Sequence, residues 1–273
     1  MQSLAVKEQI VKTVVKSGNG GAVWVPKNWL GQEVIVILPQ KPKLEIKEKI
    51  IHLLEPYLKD VISVFIYGSY ARHEETKESD IDIMIITNYK NIKINIKKPK
   101  LEINVFELYK FKKAIEKYPV MYYQIVQEAE PLINGFVLEE LKNIKIDNKN
   151  FKSYLNETKE HIKSNKEFLE LDKLDGIFIE SYSIIYSIML RLRGVFIIKC
   201  ILDTEKFSNK EFKKWLKKEG LINQGFEQFY NIYRTVRDNK NIRNIKIKIF
   251  IVEKLLNILT NELNLIENKL YGK

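Results

Sequence analysis

Cysteine is almost absent from this chain: Cys200 is the only one among 273 residues. A single thiol can form neither an intramolecular disulfide nor a cysteine-based zinc cluster. Because its neighbours at positions 195–202 are mostly apolar, we expect a buried and unreactive thiol. The N-terminal residues lack the hydrophobic stretch of a signal peptide, and no apolar run approaches the ~20 residues of a membrane-spanning helix. These absences predict a cytoplasmic protein.

Acidic residues are scarcer than basic ones, with 35 Asp and Glu against 46 Lys and Arg and a formal net charge of +11. Such an excess favours polyanionic partners, either nucleic acid or nucleotides. The lysines are spread along the whole chain, so a proteome that is generally rich in lysine explains the balance equally well. The length allows two domains and a small appendage.

Residues 61–86 carry the strongest chemical signal. An apolar run ends at the turn Gly68-Ser69, ten residues follow, and Asp80 and Asp82 then open a second apolar run. If both runs are strands, alternation places the two carboxylates on one strand face, beside a turn rich in free backbone N–H groups. This combination predicts a site for a metal ion and a triphosphate.

The pattern resembles the signature of minimal nucleotidyltransferases in the DNA polymerase β superfamily. The matching residues are Gly68, Ser69, Ala71, Arg72, Ser79, Asp80 and Asp82. Members of that family usually carry glycine where this chain has His73, a departure that changes the loop but no metal ligand. The resemblance implies a magnesium-dependent enzyme that transfers a nucleoside monophosphate, with AMP as the expected group, from an NTP to a hydroxyl on a protein or RNA acceptor.

The resemblance also assigns roles to individual side chains. Asp80 and Asp82 would hold two Mg²⁺ ions, one at the acceptor oxygen and one at the triphosphate. Gly68 would let the phosphates approach the backbone closely, and Ser69 would add a hydroxyl donor. Arg72 would neutralise phosphate charge, although a surface salt bridge explains an isolated arginine equally well.

A third carboxylate is expected on the next strand, which the alternating pattern predicts at residues 101–106. Two candidates share one face there, Glu102 and Asn104, ~6.6 Å apart along the strand. The downstream aromatic pattern aligns Asn104 with the usual aspartate of the family. Two alternatives follow. Either Glu102 substitutes for that aspartate from one pleat away and completes the catalytic metal shell, or the third carboxylate is missing.

The first 40 residues predict a small β unit, with strands at 10–16, 22–25 and 33–38 around a glycine-rich turn. They resemble one protomer of the swapped-hairpin AbrB-like DNA-binding family. That resemblance implies an intertwined homodimer, because so short a segment buries too little apolar surface alone. It also implies duplex DNA as a partner, with phosphate contacts from Lys12, Lys16 and Lys27. An appendage that only packs on its neighbour is the alternative.

Helical periodicity dominates from residue 150 onward, with helices predicted at 151–171, 174–202, 209–219, 225–238 and 245–270. This half resembles the helical HEPN domains and the helical domain of kanamycin nucleotidyltransferase-like enzymes. It has Arg234 and Arg237 but lacks the histidine of the HEPN ribonucleases, so we predict no ribonuclease activity.

The expected fold class is α+β, with three parts. Residues 1–42 would form the AbrB-like unit with its proline-rich linker at 39–43, residues 43–145 a small mixed-sheet nucleotidyltransferase domain, and residues 146–273 a helical bundle. Two functions remain open. The first is an active nucleotidyltransferase, and the second is a DNA-binding regulatory or antitoxin-like protein that binds a nucleotide without efficient turnover.

Overall fold

The computed structural model describes residues 10, 12–36, 46–88, 94, 96, 98–219, 223–238, 240 and 245–272. The chain divides into two compact units, Met1–Leu44 and Glu45–Lys273. The described part of the first unit is a short hairpin, in which β1 (Val15–Ser17) pairs antiparallel with β2 (Gly20–Ala22). Gly18 in the connecting turn has a φ of +55°, a left-handed conformation that suits glycine.

The third strand predicted for the first unit is wrong at residues 33–36, which form no strand, while residues 37–38 lie outside the described residues. A strand exists only where its backbone groups find a partner, and alternation in the sequence does not supply one. A single turn of 3-10 helix at Lys27–Trp29 separates this stretch from the hairpin. The predicted linker at residues 39–43 also lies outside the described residues.

A four-stranded mixed sheet lies at the centre of the first half of the second unit. Its strands are β3 (Val61–Tyr67), β4 (Ile81–Thr87), β5 (Leu101–Glu107) and β6 (Glu130–Ile133). The spatial order is β5-β4-β3-β6, with β4 and β5 parallel and the other two pairs antiparallel. The three strands predicted around the motif are therefore present.

Both faces of the sheet are covered, which explains why β3 and β4 are continuous apolar runs. Phe65, Met84 and Ile86 pack on one face against α3 (Leu108–Lys117), α4 (Pro119–Glu128) and α5 (Gly135–Lys142). Val64, Ile66, Ile83 and Ile85 pack on the other face, against α1 (Ile46–Leu54). Helix α5 was not predicted from the sequence, and α3 and α4 are separated at Tyr118, directly before Pro119.

Five helices make up the second half. They are α6 (Lys152–Asp175), α7 (Ser183–Asp203), α8 (Asn209–Lys218), α9 (Asn223–Arg237) and α10 (Ile249–Tyr271). Helix α7 is buried along most of its length among α6, α9 and α10. It also carries Cys200, which is 1% exposed and whose pKa burial raises to about 12, in agreement with the expected unreactive thiol.

Two predicted helix starts in this half are wrong. Helix α7 begins at Ser183 and not at residue 174, because α6 continues to Asp175 and is followed by Gly176, whose φ of +150° is left-handed. The backbone then runs extended beside residues 247–249: Ile179 donates to Ile247 (3.0 Å) and Ile249 donates to Ile177 (2.9 Å). That pairing also delays α10 to residue 249. In the described part of the chain, no helix is both long and apolar enough to cross a membrane.

Candidate active site

The motif residues meet at the edge of the sheet where β3 ends and β4 begins. Antiparallel pairing sets Tyr67 opposite Asp82, and parallel pairing sets Asp82 opposite Glu102. Asp80 lies just before β4 and, like Glu102, is exposed. Three adjacent strands therefore place a phenol and two carboxylates in one row, with a third carboxylate close by in sequence. All four side chains line the same cleft.

Gly68 begins the short helix α2 (Gly68–Ala71), which directly follows β3. Its φ is +75°, and a Cβ at this position would overlap the carboxylate of Asp82. Only glycine satisfies both the left-handed backbone and the close approach of that carboxylate. The turn and β4 thus share one tightly fitted contact.

The electrostatics of the carboxylates are unfavourable in the absence of a cation. The pKa of Asp82 is raised to about 6, first by burial and then by the charge of Glu102, while Arg72 lowers it and Asp80 raises it. Burial and the charge of Asp82 likewise raise the pKa of Tyr67. A positive ligand in this place would relieve the repulsion between the carboxylates.

The two candidates for the position of the third carboxylate, Glu102 and Asn104, have different surroundings. Glu102 stands in register with Asp82 and lines the cleft. Asn104 stands in register with Met84, and its amide donates a hydrogen bond to the hydroxyl of Tyr67 at 2.8 Å. The carboxylate nearest to Asp82 along this strand is therefore Glu102, while Asn104 holds the phenol.

The carboxylates fit Mg²⁺ by their chemistry. Within the described ranges, no three His, Cys, Asp or Glu side chains are arranged as a ready metal site. Asp80, Asp82 and Glu102 nevertheless supply only oxygen ligands, which Mg²⁺ prefers, and Asp82 has a raised pKa caused in part by the other two. The donor set and its repulsion both favour a hard divalent cation.

Arg72 is engaged by carboxylates. One terminal nitrogen donates to both oxygens of Glu128 at 2.7 Å, and Nε donates to Glu74 at 3.0 Å. The side chains of Arg72 and Glu128 are only 11% and 6% exposed. Burial alone would lower the pKa of Arg72, but the two carboxylates hold it above its ordinary value. The backbone N–H of Gly68 also donates to Glu128, at 2.8 Å.

Sequence reasoning missed Glu128 and Glu74. Glu128 ends α4, 56 positions after Arg72, and no spacing in the sequence links the two residues. For Glu74, the available signal was its position two residues after Arg72, but the motif loop carries other charged residues as well. His73, at the position where the resembling family has glycine, adopts a φ of +53°, so the backbone keeps the left-handed conformation.

The cleft has a volume of about 1140 Å³ and lies between the sheet and the helical half. The sheet side contributes the carboxylates and the turn at Gly68. The helical side contributes basic side chains, together with one tyrosine and two acidic residues: Arg191, Arg193, Arg234, Arg237, Lys240, Tyr154, Glu157 and Asp238. Two of the lining residues, Gln124 and Arg193, each carry a buried nitrogen, Nε2 and Nε respectively, with no hydrogen-bond partner among the described residues. The space and the polarity suit a nucleotide together with an acceptor.

The three lysines predicted to bind DNA are all exposed in the first unit. Lys16 is on β1, Lys12 precedes that strand, and Lys27 begins the turn of 3-10 helix. Their side chains are available to solvent, and their contact with DNA stays a prediction.

Residues 48–135 match the family described as Polymerase beta, Nucleotidyltransferase. The match spans all four strands of the sheet, β3, β4, β5 and β6, and so contains every carboxylate of the row. This part of the chain is similar in sequence to nucleotidyltransferase domains of the polymerase β type.

The solved structures that are similar to the chain include an adenyltransferase and a nucleotidyltransferase-like protein. One is the spectinomycin adenyltransferase AAD(9) from Enterococcus faecialis, solved with ATP and spectinomycin, at 12% identity and a TM-score of 0.44, covering 79% of this chain and 97% of that one. The other is a nucleotidyltransferase-like protein from Exiguobacterium sibiricum, at 8% identity and a TM-score of 0.40, covering 82% of this chain and 78% of that one. Neither likeness is close enough to carry a functional conclusion. The curated proteins gave no match.

Proposed function

We propose that this chain transfers a nucleoside monophosphate, with AMP as the expected group, from an NTP to a hydroxyl on a protein or RNA acceptor. The observation that carries the proposal is the row in which Asp82 stands between Tyr67 and Glu102, beside the turn at Gly68. The match of residues 48–135 to a nucleotidyltransferase family supports it. Pyrophosphate is the second product, because the acceptor oxygen replaces it at the α-phosphorus.

Asp80, Asp82 and Glu102 would hold two Mg²⁺ ions. When bound, these ions neutralise triphosphate charge and lower the pKa of the acceptor hydroxyl. Glu102 would complete the acceptor side of the metal shell, a role supported by its register with Asp82. The exposed position of Asp80 leaves its carboxylate accessible from the cleft.

Gly68 and Ser69 would bind the phosphates. Both line the cleft, and the absence of a Cβ on Gly68 allows the Asp82 carboxylate to lie directly against the backbone of the turn. The predicted phosphate contact of Arg72 would require its guanidinium to exchange Glu128 and Glu74 for phosphate oxygens. Because these contacts are short and buried, such an exchange would leave the Glu128 carboxylate as an unpaired buried charge, which is costly.

The experiment supplies labelled ATP, CTP, GTP or UTP with Mg²⁺ and a cell extract, and follows transfer of label to macromolecules. Asp80→Ala is expected to abolish the transfer. Glu75→Gln, an exposed carboxylate in the same loop, is the matched control and should transfer as the wild type does. Tight ATP binding by the wild type with no transfer to any acceptor would contradict the proposed nucleotidyltransferase activity.

A second candidate function is DNA binding by a homodimer, with or without nucleotide turnover, as in a regulatory or antitoxin-like protein. The first unit favours it because large apolar side chains are exposed there: Trp24 (72%), Leu30 (73%), Ile35 (70%) and Val36 (70%). Burying such a surface against a second copy would be favourable. The exposed Lys12, Lys16 and Lys27 would then contact phosphates.

A further inference from the structure

The carboxylate of Glu128 forms hydrogen bonds with both ends of the glycine turn. One of its oxygens accepts from the backbone N–H of Gly68 at 2.8 Å, and both accept from Arg72 at 2.7 Å. The residue ends α4 and its side chain is 6% exposed. One buried carboxylate therefore joins the first residue of the turn to the arginine four positions later.

The contacts continue from Arg72 into the helical half. Its Nε donates to Glu74 at 3.0 Å, and Glu74 accepts from the backbone N–H of Asn209 at 3.0 Å and from its side-chain amide at 2.7 Å. Asn209 is the first residue of α8. The guanidinium of Arg72 also lies 5.8 Å from the ring centroid of Phe207, two residues before that helix. The loop after the motif turn is thus attached to both walls of the cleft.

We propose that Glu128 and Arg72 are positioning residues for nucleotide binding, which fix the turn at Gly68 and, through Glu74 and Asn209, hold the helical wall of the cleft against it. The inference rests on the proposed function of the same site. Gly68, Arg72, Glu74, Glu128 and Asn209 all line the cleft, so the contacts lie in the wall that a nucleotide would touch.

Charge explains why two residues are needed. Without Arg72, the Glu128 carboxylate would still hold the turn through the Gly68 amide, but its negative charge would repel a triphosphate bound in the cleft. Arg72 cancels that charge, and Glu128 in turn pairs a cation that is only 11% exposed. Removing one member of such a pair leaves an uncompensated buried charge. Arg72 therefore serves the phosphates through Glu128 and the turn, without direct contact.

This role and a direct phosphate contact predict opposite results for one variant. Glu128→Ala would release Arg72, so a phosphate-binding arginine would bind Mg-ATP more tightly. Under the positioning role the same variant frees the turn, and the Kd for Mg-ATP in titration calorimetry should rise roughly tenfold or more. Glu128→Gln keeps an acceptor for the Gly68 amide and should restore part of the affinity. Arg72→Ala combined with Glu128→Ala should cost no more than the worse single variant.

Glu130→Gln is the matched control. Glu130 lies two positions beyond Glu128 and makes partly exposed ion pairs with Lys47 and His73, whose net contributions are small. It should leave the Kd for Mg-ATP unchanged. Tighter ATP binding in Glu128→Ala, or additive losses in the double variant, would overturn the positioning role.

Amide hydrogen exchange of the nucleotide-free chain tests the contacts separately from nucleotide binding. In Glu128→Gln and in Glu74→Gln, we expect faster exchange in residues 68–74 and also in residues 207–212, and in Glu130→Gln in neither segment. Faster exchange confined to residues 68–74 would overturn the link to the helical wall. If the wild type binds no nucleotide, the proposed function fails, whereas these exchange results still decide whether the contacts hold the cleft together.

Discussion

Glu102 stands directly opposite Asp82 across the parallel strands β4 and β5, and both carboxylates line one cleft. Burial raises the pKa of Asp82 to about 6, with Glu102 as the next largest cause. The charge of Glu102 thus makes ionisation of Asp82 less favourable. The repulsion between the two carboxylates would be relieved by a bound divalent cation, so it favours a site that binds such cations.

Substitution of Glu102 tests the third carboxylate. Glu102→Gln keeps the size of the side chain and removes its charge beside Asp82, so we expect nucleotidyl transfer to fall on the order of a hundredfold or more. Asn104→Ala removes only the hydrogen bond to Tyr67 and should cost far less. Steady-state rates with labelled ATP measure both. Full activity in Glu102→Gln would refute its assignment.

Substitution of Gly68 tests the fit of the turn. Gly68→Ala forces a side chain into a left-handed backbone and against the Asp82 carboxylate, so the free energy of unfolding should fall by about 1–3 kcal/mol. Gly176→Ala is the control, because that position is also left-handed but has open space around it. Urea unfolding compares the two. An equal loss in both variants would mean that the contact with Asp82 adds nothing to backbone strain.

Glu262, on α10, gives a pH-dependent stability. Burial, reinforced by Glu219, raises its pKa above the ordinary value, so the folded chain binds this proton more tightly than the unfolded chain. The contribution of Glu262 to stability is therefore present at low pH and lost as the pH rises through the raised value.

Glu262→Gln, which cannot ionise, should unfold at a higher temperature than the wild type at pH 7. The gain should shrink as the pH is lowered toward 4, because the wild-type carboxyl becomes protonated as well. Thermal unfolding across this range measures the difference. The exposed Glu160→Gln on α6 serves as control and should show no such trend. A constant difference at all pH values would contradict the assignment.

Removal of the first unit tests DNA binding. We expect the full chain to bind duplex DNA with an affinity that falls steeply with salt, because lysine–phosphate contacts release counterions. A chain lacking residues 1–39 should lose this binding and, if the unit forms the dimer, sediment as a monomer. Lys16→Gln should lower the salt slope, whereas Lys149→Gln, an exposed lysine of the second unit, should not. Undiminished binding by the shortened chain would exclude this role.

Local patterns in the sequence predicted the elements that carry the site. The apolar runs ending at Gly68 and beginning after Asp82 became β3 and β4, because both are buried on two faces. The pairing of Asp82 with Glu102 was not predictable, since the alternation of one strand does not fix its register against a neighbour. The choice between Glu102 and Asn104 depended on that register.

Contacts between distant segments left no trace in the sequence. Glu128 forms a hydrogen bond with Arg72, 56 positions away, and Asn209 forms one with Glu74, 135 positions away. Neither Glu128 nor Asn209 belongs to a motif. The failed strand at residues 33–36 and the delayed start of α10 have the same origin. In both places the backbone conformation depends on pairing with another segment, which periodicity does not report.

The most direct test of the central claim compares ATP labelled at the α-phosphate with ATP labelled at the γ-phosphate, each supplied with Mg²⁺, the purified chain and its acceptor. A nucleotidyltransferase built on Asp82 should transfer the α label and release the γ label as pyrophosphate. Asp82→Asn, which keeps the shape of the side chain and removes its charge, should abolish the transfer. Transfer of the γ label, or undiminished α transfer by Asp82→Asn, would contradict the account.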